Sequence, residues 1–89
     1  MPAGSTHAEI IVAVIRMYHE QEDDDPSFMD FVAEGELSPN TVSRVLHSLE
    51  YKGVLRIRHG RGHVRNEYSI NERVWSSHRM EAQRSVIVK

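Results

Sequence analysis

Asn40, Arg44, His47 and Tyr51 recur at i, i+4, i+7 and i+11, a spacing that places them on one face of a helix, with Thr41 and Ser43 flanking them. All six side chains can hydrogen-bond, and none is a carboxylate. An asparagine can pair bidentately with adenine and an arginine with guanine in the major groove, while serine and threonine reach phosphates or base edges. A merely solvated helix face usually mixes Glu or Asp among its cations, so this composition favours contact with a polyanion. Ser38 and Pro39, just ahead, are a capping residue and a first-turn proline. The free N–H groups of such a helix start suit a backbone phosphate.

A second set of cations follows. Arg56, Arg58 and Arg65 occupy alternate positions in two short runs, and Arg61 stands between Gly60 and Gly62. Arginine at a glycine-flanked tip suits a narrow, negative minor groove, and glycines let the backbone approach it closely. An edge strand blunted against aggregation would more often use lysine. This segment uses only arginine.

The elements that must carry these residues can be read from periodicity. Thr6-x-x-Glu9 is a capping-box pattern, and Ile10, Ile11, Val14, Ile15 and Tyr18 form an apolar stripe, which predicts a helix over 7–21. Asp25 as cap and Pro26 as first residue predict a second helix over 26–34, with Phe28, Phe31 and Val32 inward and Gly35 as its stop. Val42, Val45, Leu46 and Leu49 at i, i+3, i+4 and i+7 turn the third helix toward the core, and Gly53 ends it. The period then becomes two. Leu55 and Ile57 alternate with arginines, and Val64, Asn66, Tyr68 and Ile70 alternate with polar residues, so a β-hairpin is expected around the glycine-rich turn HGRG. Asn71 can cap a fourth helix carrying Val74, Trp75, His78 and Ala82. The closing SVIVK reads as a short strand or frayed tail.

Composition sets the outer limits. Eighty-nine residues with 39% hydrophobic and 27% charged side chains read as one small globular domain. Such a chain buries only roughly 60–65% of its unfolded surface and has little room for a deep catalytic cleft. Without cysteine there are no disulfides, thiolate metal sites or cysteine nucleophiles. The longest apolar run, Ile10 to Ile15, is too short to span a bilayer. MPAGSTHAEII has no basic lead and no long apolar stretch, so no secretory signal is expected. The expected location is the cytoplasm, on the nucleoid. The net charge of −2 hides a strong split. Up to Leu37 there is one basic residue against nine acidic ones, and from Ser38 onward there are ten basic against four acidic. Glu20 to Asp25 should therefore point away from any polyanion.

No phosphate loop, nucleophile elbow or shared carboxylate pair is readable, so no enzyme, catalytic residue or cofactor is expected. The six histidines are scattered, Asp23 to Asp25 lack the calcium-loop pattern, and no metal site is expected. No small-molecule ligand and no membrane partner is readable either.

The segment LSPNTVSRVLHSLEYKGVLRIRHGRGHVRNEYSIN resembles the recognition helix and wing of the winged helix-turn-helix family. The nearest likenesses are MarR-like regulators and the winged-helix modules of phage and plasmid replication proteins. The resemblance covers residues 8–71 and is sharpest over 37–71. It implies an α+β fold: a three-helix core, a two-stranded hairpin wing and a C-terminal helix. Residues 1–70 would form the DNA-binding domain, and 71–89 a C-terminal helix or tail whose Val74, Trp75, Met80 and Ala82 either make a dimer interface or pack on the first helix as monomer core. It implies a sequence-specific binder of double-stranded DNA, acting as a homodimeric transcriptional regulator. Its contacts would be Ser38, Asn40, Thr41, Ser43, Arg44, His47 and Tyr51 on the helix and Arg56, Arg58, Arg61 and Arg65 on the wing. If about five of these cations meet phosphates, the salt slope is roughly −4 to −5 per subunit. Two alternatives stay open: a phage or plasmid replication or partition accessory, and a winged-helix protein-interaction module.

Overall fold

The computed structural model describes the backbone of residues 6–87 and the side chains of residues 6–79. Among the described residues the protein is an α+β globule of four α-helices and one two-stranded antiparallel hairpin. The order is α1 (His7–Met17), a π-helical turn (Tyr18–Glu22), α2 (Phe28–Gly35), α3 (Pro39–Tyr51), β1 (Leu55–Arg58), β2 (Glu67–Ile70) and α4 (Glu72–Ile87). None of these helices is long and apolar enough to cross a membrane.

Helix α1 begins with the expected capping box. Thr6 Oγ1 accepts the Glu9 N–H at 3.2 Å, and Glu9 Oε1 accepts the Thr6 N–H at 3.1 Å. Ile10, Ile11, Val14 and Ile15 are buried, as the stripe required. Val12, off that stripe, is buried too. Glu9, Val12 and Arg16 share one face of α1 at i, i+3 and i+7, and Glu72, Trp75 and Arg79 do the same on α4. Arg16 meets Glu72 at 2.7 Å and Arg79 approaches Glu9 to 3.8 Å. Helix α4 therefore runs antiparallel along α1 and covers the side that a single stripe left open. The helix itself ends at Met17, and the π turn closes on Asp23 in the left-handed conformation.

The second helix starts later than its sequence signals placed it. Its cap is Ser27, not Asp25: Ser27 Oγ accepts the Asp30 N–H and Asp30 Oδ2 accepts the Ser27 N–H, a second capping box. Pro26 lies outside the helix and is fully buried, whereas Phe28, expected inward, is 40% exposed. Gly35, expected to stop the helix, remains helical and buried, and a Cβ there would lie 3.0 Å from the Ile10 side chain. The left-handed stop falls on Glu36.

Helix α3 follows its signals closely. Ser38 caps it, Pro39 opens it, Gly53 takes φ +79 beyond its end, and Val42, Leu46 and Leu49 are buried with Val45 half-buried. The hairpin pairs Leu55 with Ile70 and Ile57 with Tyr68 on the inner face, and Arg56 with Ser69 and Arg58 with Glu67 on the outer face. Buried Tyr68 meets the Phe31 ring edge-on at 5.2 Å. The second strand is shorter than its alternation suggested. Residues 59–66 form the connection, and Val64, expected inward, is 66% exposed. Asn71 Oδ1 accepts the Val74 N–H at the start of α4, as expected. The closing segment is neither strand nor tail up to Ile87, because α4 continues through it. The side chains of Met80 and Ala82 and the last two residues lie outside the described residues. Trp75 is only 4% exposed and belongs to the monomer core with Ile11, Val12 and Val14. Of the two places the sequence left open for this ring, dimer interface or monomer core, it takes the core.

Candidate nucleic-acid interface

Helix α3 exposes Asn40, Ser43, Arg44, His47 and Tyr51 together, the last at 89%. Burying Val42, Leu46 and Leu49 on one side of a 3.6-residue period forces these five to the other. Among the described residues no ion pair engages Arg44 or His47. Ser38 and Thr41 are used locally. Ser38 Oγ accepts the Thr41 N–H at 3.2 Å and donates to Thr41 Oγ1 at 2.9 Å. Their hydroxyls hold the helix start that presents Asn40.

The helix face is not free of carboxylate along its whole border. Glu50, one turn beyond His47 on the wing side, is half-exposed, and its Oε2 lies 3.4 Å from His59 Nε2. The six side chains singled out on α3 include no carboxylate, but Glu50 places one between them and the hairpin. Between α3, the wing and the start of α2 lies an open groove of about 410 Å³. Ser43, Leu46, His47 and Glu50 line it from α3, Phe28 from α2, and Ile57, Val64 and Arg65 from the hairpin side.

The four wing arginines are not equivalent. Arg56 and Arg61 are exposed with no described ion pair, and Arg58 reaches only a loose one, 4.0 Å from Glu67 across the strands. Arg65 does not project from a strand as expected. It turns to the acidic loop, where Nη1 is 3.3 Å from Asp24 Oδ2 and donates to the Asp25 carbonyl oxygen at 2.9 Å. The backbone N–H of Tyr68 is held there too, by Asp25 Oδ1 at 3.0 Å. The acidic run therefore does not keep clear of the cationic half; part of it grips the root of the wing.

The glycines of this turn also shape the loop itself. A Cβ on Gly60 would collide with the Val64 carbonyl oxygen and sit 2.7 Å from that of Arg65, so this glycine lets the loop close on itself. The Gly60 N–H donates to Asn66 Oδ1 at 2.9 Å, and the Val64 N–H to the Arg61 carbonyl at 3.0 Å. Gly62 takes φ +61 in that turn. The result is a folded tip that carries Arg61 outward.

Sequence reasoning missed Asp24, Asp25, Glu50 and Asn66. A long-range pair such as Arg65 with Asp24 has no periodic signature. Asn66 was visible only as an inward polar residue in an otherwise apolar alternation. Among the described residues no three His, Asp or Glu side chains converge as a metal site would require. No protein-family model, curated protein or solved structure matches the chain.

Proposed function

We propose that this protein is a winged helix-turn-helix that binds double-stranded DNA sequence-specifically, as a homodimeric transcriptional regulator. Helix α3 enters the major groove, and the wing follows the adjacent backbone or minor groove. The observation that carries this reading is the pairing of two exposed surfaces: the uncommitted polar face Asn40, Ser43, Arg44 and His47, and the outward cations Arg56, Arg58 and Arg61. The order of elements, with a capped helix running through Gly53 into an antiparallel hairpin, supports it.

Chemistry divides the roles. Asn40 and Arg44 have the donor and acceptor geometry for base edges. Arg56, Arg58 and Arg61 supply sequence-independent charge for phosphates. With Arg65 already paired to Asp24, these three cations per subunit give a salt slope of about −3. Selection of bound duplexes from a random pool tests the reading. Wild-type protein enriches a defined motif, and Arg44→Ala loses preference at one or two base pairs. Enrichment of no duplex by either protein refutes it.

A further inference from the structure

The contact between the acidic loop and the wing joins the two electrical halves of the molecule at one arginine. Asp24 uses both carboxylate oxygens: Oδ1 accepts the Asp25 N–H at 2.8 Å and Oδ2 faces Arg65. Asp25 is braced by His19 Nε2 at 2.8 Å and by the Tyr68 N–H, so the loop is fixed on both sides of Arg65. Arg65 also lines the groove that Ser43 and His47 line from α3. It is thus a cation beside the proposed reading face whose charge is already met. The side chains of Arg65 and Asp24 are 52% and 56% exposed, so water and other anions reach the pair. A pair this open is weak enough to exchange partners. A phosphate, with its several acceptor oxygens, can take an arginine in the same way.

We propose that Asp24 competes with the phosphate backbone of a bound duplex for Arg65. The inference rests on the DNA-binding reading above. In the free protein the carboxylate neutralises Arg65 and ties down the wing root. On a duplex, Arg65 joins the interface only by leaving Asp24. The acidic loop thereby lowers affinity for any phosphate backbone, whatever its sequence. Contacts from Asn40 and Arg44 then decide a larger share of which sites are occupied.

Removing the charge of Asp24 while keeping its oxygens tests this. Asp24→Asn retains an acceptor for the Asp25 N–H. Asp24→Ser does so too and repeats the measurement should the first variant fold poorly. Asp23→Asn removes the same charge from the same loop, at an exposed residue with no described contact to Arg65. Titrating each protein onto a random-sequence duplex at about 50 mM salt should show Asp24→Asn binding roughly two- to five-fold tighter than wild type. Asp23→Asn should gain clearly less, and in an Arg65→Ala background Asp24→Asn should bind no tighter than Arg65→Ala alone. Equal gains from Asp23→Asn and Asp24→Asn, a gain that survives Arg65→Ala, or no gain at all would each overturn the competition while leaving DNA binding intact. A wild-type protein that binds no duplex under these conditions would instead remove the DNA-binding reading, and the competition with it.

Discussion

Replacing Trp75 with alanine separates the two places this residue could occupy, the core of one chain or the seam between two. The side chain is almost fully buried in the monomer, stacked on His78 with ring centroids 5.7 Å apart and with the Arg79 guanidinium 5.9 Å from its ring. Burying a tryptophan removes about 150–250 Å² from water, and truncating one in a core costs about 3–5 kcal/mol. A chain of this length has roughly 4–13 kcal/mol in total. With a urea slope of about 1.5 kcal/mol per molar, Trp75→Ala should lower the midpoint by about 2–3 M, or unfold the protein outright. Trp75→Phe, which keeps an aromatic ring in the site, should lose clearly less. Circular dichroism during a urea titration reads both, and light scattering reads the mass beside it. If Trp75→Ala keeps the wild-type midpoint while the mass halves, the packing of α4 on α1 described above is wrong and the ring lies between copies.

Four further predictions concern the wing tip, the start of α2, its acid titration and the division of roles on DNA. Gly60→Ala should cost about 1–3 kcal/mol, because the new methyl meets carbonyl oxygens of Val64 and Arg65 that belong to backbone and cannot rotate away; thermal unfolding measures it, and an unchanged transition would mean the wing tip is not folded as described. Ser27→Ala should cost about 1 kcal/mol by opening the capping box of α2. The same box sets a pH dependence. The Ser27 N–H donates to Asp30 and holds its carboxyl below the ordinary 3.8, and the Thr6 N–H does the same for Glu9 against 4.5. A lowered folded-state value means stabilisation that is complete above the ordinary pKa and lost as pH falls through the folded one. Stability of the wild type should therefore decline below about pH 4, and Asp30→Asn should flatten that decline; an identical acid profile in the variant would remove the box as its cause. On DNA, Arg61→Ala should weaken all duplexes alike, while Arg44→Ala should weaken the preferred site by about 1–3 kcal/mol and others little. Parallel titrations on preferred and random duplexes check this, and equal losses from both changes would break the division of roles.

Much of the architecture could be read from the chain because local rules and tertiary packing agreed. Helix α3 has a serine cap, a first-turn proline, an apolar 3.6-residue stripe and a glycine stop, and every one of these operates in the fold. Helix α2 shows what happens when two local signals compete. Asp25-Pro26 and Ser27-x-x-Asp30 both announce a helix start, and the latter prevails while Asp25 holds the Tyr68 N–H and His19. No periodicity encodes that, because the partners lie 43 residues apart for Asp25 and Tyr68. The wing illustrates the same limit. Alternation in HVRNEYSI begins four residues before the true start of β2, since a folded loop can mimic a period of two for a few residues. The candidate face on α3 was legible because burial of one stripe dictates what stands opposite. The engagement of Arg65 and Glu50 was not, because charge counts carry no information about which charges meet.

Binding of wild-type protein to a random-sequence duplex as salt is varied tests the central claim most directly. The account predicts measurable binding at about 50 mM salt and an affinity that falls with a log–log slope of about −3 per subunit. No binding at low salt, or an affinity that does not change with salt, would contradict it.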